Sequence, residues 1–316
     1  MKKHNSAFLY FFKTAVPSVF LFALVSCASL FYQPTDRKYW TPDVLGFRYR
    51  EETFDTFDGE RLKFWRIFPK EKPKGVVIQF HGNGENRSSH FTSLVWMVNH
   101  GYELVVLDYR GYLDSTGIPE RETVHKDAVD FLIKELEYSK KRNIPAVVYG
   151  QSLGGAIALR AVADLPDKSG IVLVVADGTF ANYKKVFRQV VRRVLFFPMD
   201  WIAGIFVSDS FSPEESLSKI SPVPMLVVHG TEDDIVSFQN GVEVFGLAGQ
   251  PKWFWEVRGG GHVNWMNLGA SKEAKNFLAF LEHVIEKSNF NPGKTDAGPN
   301  ALLPEGNASL PFLPAP

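Results

Sequence analysis

Cysteine is almost absent from this chain. Cys27 is the single one in 316 residues, so no disulfide can form within the chain and the folded body must rely on core packing. Net charge is absent as well. The 35 Lys and Arg balance the 35 Asp and Glu, and no global field recruits nucleic acid or acidic substrates. Outside one short helical stretch there is no long basic run, and no nucleic-acid partner is expected. The apolar stretch near the N-terminus is broken by Lys13 and Pro17, which argues against an uninterrupted spanning helix of about 20 residues. His81, His90, His100 and His125 lack the paired spacing with carboxylates of a known ligand set, so no metal is called for. No G-x-G-x-x-G follows a strand, so no dinucleotide cofactor is expected either. No repeat of solenoid period is visible.

Other features are well represented. Hydrophobic residues make up 45% of the chain, enough for a large buried core. The length fits one α/β domain of roughly 250 residues with appendages. Met1-Lys2-Lys3, the apolar run Ala15–Val25 and the small residues after it follow the order of a secretory signal peptide. Leu24-Val25-Ser26-Cys27 resembles a bacterial lipobox, which makes residues 1–26 the signal peptide and Cys27 the acylated residue. A plain signal peptide or an uncleaved anchor are the alternatives. The lipid reading implies a cell-envelope protein held to the membrane by its acyl chains and not by a protein span. Ala28 and Ser29 would suit the periplasmic side of an outer membrane if the source is Gram-negative.

Residues 27–46 read as a linker containing Pro34 and Pro42. Two β-rich segments, 47–57 and 60–68, flank Asp58-Gly59 and predict a hairpin. Apolar strands then alternate with helices: strands at Val76–Phe80, Glu103–Tyr109, Ala146–Tyr149, Ile171–Ala176, Met225–His229 and Trp253–Val257, helices near 88–99, 119–142, 153–165, 237–247 and 271–287. That alternation predicts an α/β fold, a mostly parallel sheet covered on both faces with an antiparallel leading hairpin. The domain is expected over 47–288, with a small helical cap inserted at about 180–223. The tail, 289–316, contains Pro, Gly and Asn without helical period and is expected to be disordered. In the cap, Val186, Phe187, Val190, Val191, Val194 and Leu195 form a helical apolar stripe beside Lys184, Lys185, Arg188, Arg192 and Arg193. Such a helix either packs on the body or lies on an anionic membrane surface.

Chemistry concentrates in three places. Gly150-Gln151-Ser152-Leu153-Gly154 sits between a strand and a helix, the context in which G-x-S-x-G holds a serine on a sharp elbow. A serine hydroxyl is a weak nucleophile and needs a base, a group to orient that base, and donors for the oxyanion. Thr231-Glu232-Asp233-Asp234 ends a strand and supplies the orienting carboxylate: Asp233 is the first choice, Asp234 its neighbouring rival. His262, in Gly259-Gly260-Gly261-His262, follows the last strand and is the candidate base. The backbone N–H of Leu153 and of Asn83, with Gly84 second, are the candidate oxyanion donors, Asn83 lying in His81-Gly82-Asn83-Gly84. His81 reads as a brace for that loop, and Asp108 and Asp177 as loop-bracing carboxylates.

His81-Gly82-Asn83-Gly84, Leu107-Asp108-Tyr109-Arg110-Gly111-Tyr112, Gly150-Gln151-Ser152-Leu153-Gly154-Gly155 and His229-Gly230-Thr231-Glu232-Asp233 together resemble the α/β-hydrolase superfamily. Within it the chain is similar to serine hydrolases that include protein-depalmitoylase-like enzymes and bacterial esterases. The resemblance spans roughly residues 47–287 and implies Ser152 as nucleophile, Asp233 as orienter and His262 as base. One departure is Leu113-Asp114-Ser115 after Arg110-Gly111-Tyr112, where that branch usually has glycine, which bears on substrate preference. The expectation is a monomeric, membrane-attached serine hydrolase that cleaves esters or thioesters of an acyl or other small-molecule substrate. A peptidase or acyltransferase on the same triad, or a non-catalytic envelope lipoprotein, are the rivals. Phe196, Phe197, Trp201 and Phe206 hint at an apolar lid for acyl chains.

Overall fold

The computed structural model describes residues 31–194, 207–265, 269, 271–288 and 312–314. Residues 1–26, expected to be a signal peptide, Cys27 and the aromatic residues at 196, 197, 201 and 206 lie outside them. Among the described residues nine strands form one sheet: β1 (Arg48–Asp55), β2 (Arg61–Phe68), β3 (Gly75–Phe80), β4 (Tyr102–Leu107), β5 (Ala146–Gln151), β6 (Ile171–Asp177), β7 (Met225–Gly230), β8 (Lys252–Val257) and β9 (Phe312–Pro314). Their order is β1-β2-β4-β3-β5-β6-β7-β8-β9. The hairpin β1–β2 joins β4 antiparallel, β3 to β8 run parallel, and β9 closes the far edge antiparallel to β8.

The parallel strands are short continuous apolar runs because both of their faces are covered. Val76, Ile78 and Phe80 of β3 face one layer and Val77 the other. The first layer receives α2 (Arg121–Arg142), α3 (Leu153–Asp164) and α5 (Phe238–Leu247), through Phe131, Leu132, Ala156, Leu159 and Val244. The second receives α6 (Lys272–Lys287), through Phe277, Phe280, Leu281 and Val284, and residues 91–100. A reciprocal capping box between Glu120 and Thr123 starts α2, and Asn143, at φ 53°, ends it.

Three local expectations are corrected. The helix expected near 88–99 is a single turn, α1 (Arg87–His90), followed by two 3-10 segments, Phe91–Ser93 and Val95–His100. Leu94, Val95, Trp96, Met97 and Val98 are buried in unbroken succession, a pattern that leaves no alternating solvent face for an amphipathic helix there. In the tail, Phe312–Pro314 pairs with β8, whose outer edge would otherwise offer unpaired backbone groups. Residues 31–46 are a strap, not a free linker. Phe31 and Tyr32 are buried, Asn86 Nδ2 donates to the Thr35 and Arg37 carbonyls, and the Tyr39 N–H donates to Ser88 Oγ at 2.9 Å.

The segment expected to form a cap runs between β6 and β7. Its described parts are α4 (Tyr183–Val194) and a 3-10 turn at Leu217–Ile220.

Candidate active site

Ser152 stands at the C-terminal end of β5 with φ 53° and ψ −120°, a backbone conformation that non-glycine residues rarely hold. Two bonds fix it. Its N–H donates to the Asp177 carbonyl at 2.9 Å, and Thr179 Oγ1 donates to its carbonyl at 2.6 Å. A side chain at Gly154 would overlap the Phe80 and His81 carbonyls, so the elbow can press against the end of β3 only with glycine there. Below the elbow Gln151 Oε1 accepts from Gln79 Nε2 at 2.7 Å, tying β5 to β3. Leu153 is the first residue of α3, and its N–H has no carbonyl within the helix to bond.

Asp233 follows β7. Oδ1 accepts from the N–H groups of Ile235 (2.9 Å) and Val236 (2.8 Å), and Oδ2 accepts from His262 Nδ1 at 2.7 Å. Asp234, the sequence rival, is exposed, whereas the Asp233 carboxyl is buried. Burial by itself would raise the Asp233 carboxyl. The hydrogen bonds from His229 and His262, the His262 charge and the Val236 N–H outweigh it and hold the group well below the usual carboxylate range. An ionised Oδ2 can only accept, so the proton on His262 sits at Nδ1 and Nε2 is left as an acceptor.

His229 was not among the site residues expected from the sequence. It is fully buried, donates from Nε2 to the Val236 carbonyl at 2.8 Å and lies 3.3 Å from Asp233 Oδ2. It props the turn that aims Asp233. Its signal was present in the sequence as a buried-strand histidine four residues before the acid.

The loop after β3 meets the elbow directly: a methyl group on Gly82 would lie 3.7 Å from Ser152 Cβ. Asn83 is held on two sides, its carbonyl accepting from Tyr112 Oη at 2.8 Å and its Oδ1 from the Gln33 N–H at 2.9 Å. His81 is fully buried, donates from Nδ1 to the Gly82 carbonyl at 2.8 Å and stacks on His90 at 5.2 Å. Desolvation, then the neighbouring His81, pull the His90 pKa down to about 4. Asp108 accepts from the Arg87 N–H at 2.6 Å and from the Arg87 guanidinium. Asp177 accepts from Tyr149 Oη at 2.8 Å and Trp265 Nε1 at 2.9 Å, and burial pushes its carboxyl up. Both carboxylates are occupied in holding loops.

The structure therefore brings Asp233 and His262 into contact and sets the Asn83 loop against Ser152. His262 rests on the turn that holds Ser152, for a methyl on Gly178 would lie 3.5 Å from its Nδ1 and Cε1. A separate open cleft of about 910 Å³, lined by Arg48, Arg50, Phe68 and Lys70 among others, shares no residue with this site.

A strained serine elbow between parallel strand and helix, with an acid–histidine pair on the following strand ends, defines an α/β hydrolase. The chain belongs to the α/β-hydrolase superfamily, in one family with the protein YfhR of Salmonella typhi, to which it is 30% identical over 270 residues, 79% of this chain and 88% of that one. The family model described as serine aminopeptidase, S33, matches residues 71–204. The lysophosphatidylserine lipase ABHD12 of Danio rerio is 30% identical over 188 residues, 56% of this chain and 48% of the lipase. Among solved structures, the esterase Pf2001 of Pyrococcus furiosus superposes with a TM-score of 0.63 over 80% of this chain and 97% of its own, at 20% identity. Family and fold make the protein an enzyme of the hydrolase class.

Proposed function

We propose that the protein is a serine hydrolase that cleaves carboxylic esters or thioesters through an acyl-enzyme. The observation that carries the proposal is the 2.7 Å bond from His262 Nδ1 to the buried Asp233 carboxylate, which leaves Nε2 as an acceptor on a histidine that rests against the turn holding Ser152. His262 takes the proton of Ser152 as Oγ attacks the acyl carbon, and Asp233 stabilises the imidazolium that forms. The Leu153 and Asn83 N–H groups hold the tetrahedral oxyanion. His262 then gives its proton to the leaving alcohol or thiol, and afterwards activates the water that releases the acid. Similarity to an esterase and to a lysophosphatidylserine lipase supports an ester substrate.

On this reading the N-terminal segment attaches the enzyme to a membrane through lipid on Cys27, within the cell envelope. Among the described residues no helix is long and apolar enough to cross a membrane.

A fluorophosphonate probe tests the chemistry. Wild type should label, and Ser152→Ala, folded by circular dichroism, should not. Failure of the folded wild type to label sinks the serine mechanism. A panel of p-nitrophenyl esters, thioesters and aminoacyl anilides then separates esterase from peptidase, the activity that the family description mentions. Loss of membrane association in Cys27→Ala tests the anchor.

A further inference from the structure

The loop that carries His262 is built from residues that do not hold a shape by themselves. Gly259, Gly260 and Gly261 precede the histidine, and Val263 after it takes φ 44°, a strained conformation for a β-branched residue. Such strain persists only where the surroundings fix both flanks. The upstream flank is tied to the turn after β7: the Gly259 N–H donates to Thr231 Oγ1 and the Glu232 N–H to the Gly260 carbonyl, both at 2.9 Å. The bond from His262 Nδ1 to Asp233 Oδ2 leads back to that same turn. It fixes one ring atom and not the direction of the ring, so a second anchor has to come from downstream.

That anchor is Trp265. Its ring is buried beside Trp255 at 4.8 Å and Phe277 at 6.0 Å, and its Nε1 donates to Asp177 Oδ1 at 2.9 Å. The indole nitrogen only donates, so the bond has one direction. Asp177 is itself buried, and its other oxygen accepts from Tyr149 Oη at 2.8 Å. Tyr149 stands on β5 three residues before Ser152, and the Asp177 carbonyl accepts from the Ser152 N–H at 2.9 Å. One residue therefore grips the serine strand by its carbonyl and one carboxylate oxygen, and the histidine loop by the other oxygen. Asn264 Oδ1 accepts from the Gly261 N–H at 3.1 Å and closes the loop around the histidine between its two anchors.

We propose that Trp265 and Asp177 are positioning residues for the base: their hydrogen bond holds His262 in its working place relative to Ser152. The inference deepens the serine-hydrolase reading and rests on it for its effect on rate, while the placing of His262 can be measured without turnover. A reacting group displaced by about 1 Å can cost about a hundredfold in rate. Loss of the bond acts on the base and not on substrate binding, so it should appear in kcat and leave KM near wild type.

The test compares three variants of the full chain. Trp265→Phe removes the N–H and keeps an aromatic ring. Asp177→Asn keeps an oxygen that can accept from the indole, while its amide nitrogen donates to Tyr149 Oη. Phe277→Leu thins the packing on Trp265 and leaves the bond in place. Each is measured for kcat and KM on a soluble p-nitrophenyl ester and for its thermal melt. Proton NMR follows the strongly deshielded proton of the His262–Asp233 bond, assigned by its absence in His262→Asn. Trp265→Phe should lose about ten- to a hundredfold in kcat, keep KM within about twofold, and lose or broaden that signal. Asp177→Asn should keep the signal and hold kcat within about threefold. Phe277→Leu should melt earlier than wild type and keep both. In a His262→Ala background Trp265→Phe should not lower the residual rate further, because a positioning residue acts only through the group it positions. A folded Trp265→Phe protein with wild-type kcat and signal overturns the proposal. So does an equal loss of kcat and signal in Phe277→Leu, or a further loss in the His262→Ala background. Absent ester hydrolysis in the wild type counts against the serine mechanism, and the signal in Trp265→Phe then still decides whether the anchor holds His262.

Discussion

Asp233→Asn is the most discriminating change to the site because it keeps the shape and reverses one hydrogen-bond direction. The asparagine oxygen can still accept from the Ile235 and Val236 N–H groups, which now bond Oδ1 at 2.9 and 2.8 Å. The amide nitrogen then faces His262 Nδ1, now 2.7 Å from Oδ2, and donates to it. His262 must move its proton to Nε2, so it points a donor where it should accept. Loss of a hydrogen bond to a charged partner costs about 1.5–3 kcal/mol, between tenfold and about 150-fold in rate. The wrong tautomer must account for the rest, and in the serine-protease template the same exchange lowers kcat about 10⁴-fold, or about 5 kcal/mol. The assay is kcat for a p-nitrophenyl ester together with the rate of fluorophosphonate labelling and a thermal melt. Labelling should slow in proportion to kcat, and the melt should stay near wild type. Asp234→Asn, at an exposed position, should leave kcat within about threefold. A folded Asp233→Asn protein that keeps kcat within tenfold of wild type would refute the role of the Asp233–His262 pair.

Further outcomes follow from the surroundings of the site. Gln33→Pro removes the N–H that reaches Asn83 Oδ1 at 2.9 Å and Tyr112 Oη at 3.0 Å, and should lower kcat about tenfold with about 1 kcal/mol less stability. Gln33→Ala keeps that N–H and should match wild type; equal effects in the two variants would remove the strap from the mechanism. His90, at about 4 in the fold against 6.5 when free, gives stability that is complete above pH 6.5 and lost as pH falls toward 4. At pH 5 the loss is about 2 kcal/mol, and urea unfolding of wild type and His90→Gln at pH 7 and pH 5 should show a smaller drop in the variant. Arg66 is buried, 2.7 Å from Glu103 and 2.9 Å from Glu135. Arg66→Met leaves buried Glu103 to the Tyr138 hydroxyl and buried Glu135 to Lys134 and should cost about 3–5 kcal/mol, recovered in part by adding Glu135→Gln; a loss under 1 kcal/mol in denaturant titration would contradict this.

What could be read from the sequence was whatever depends on side-chain type over a short span. Runs such as Val76–Phe80 and Met225–His229 announce strands buried on both faces, and their alternation with helices gives the sheet. The serine elbow was legible because its glycines are required locally. The choice of Asp233 over Asp234 was open, since two adjacent carboxylates differ only in which one a turn directs inward. The strap was illegible for another reason. It is held largely through backbone atoms, the Gln33, Tyr39 and Trp40 N–H groups and the Thr35 and Arg37 carbonyls, which every such residue carries. Its composition therefore resembles a linker while its hydrogen bonds make it part of the body.

The turn after β6 shows why the motifs alone could not assemble the site. Its Asp177 carbonyl fixes the Ser152 N–H, its Thr179 hydroxyl fixes the Ser152 carbonyl, and its Asp177 carboxyl holds Tyr149 and Trp265, three residues past His262. Gly178 takes φ 57°, and a side chain there would come within 2.8 Å of Val263, which follows His262. No residue of this turn belongs to the motifs that carry the superfamily resemblance. Yet it is in contact with both the serine elbow and the histidine loop, and it runs on into α4. The placing of the serine elbow and the histidine loop therefore rests on this turn's backbone, on the Thr179 and Asp177 side chains and on one close glycine contact.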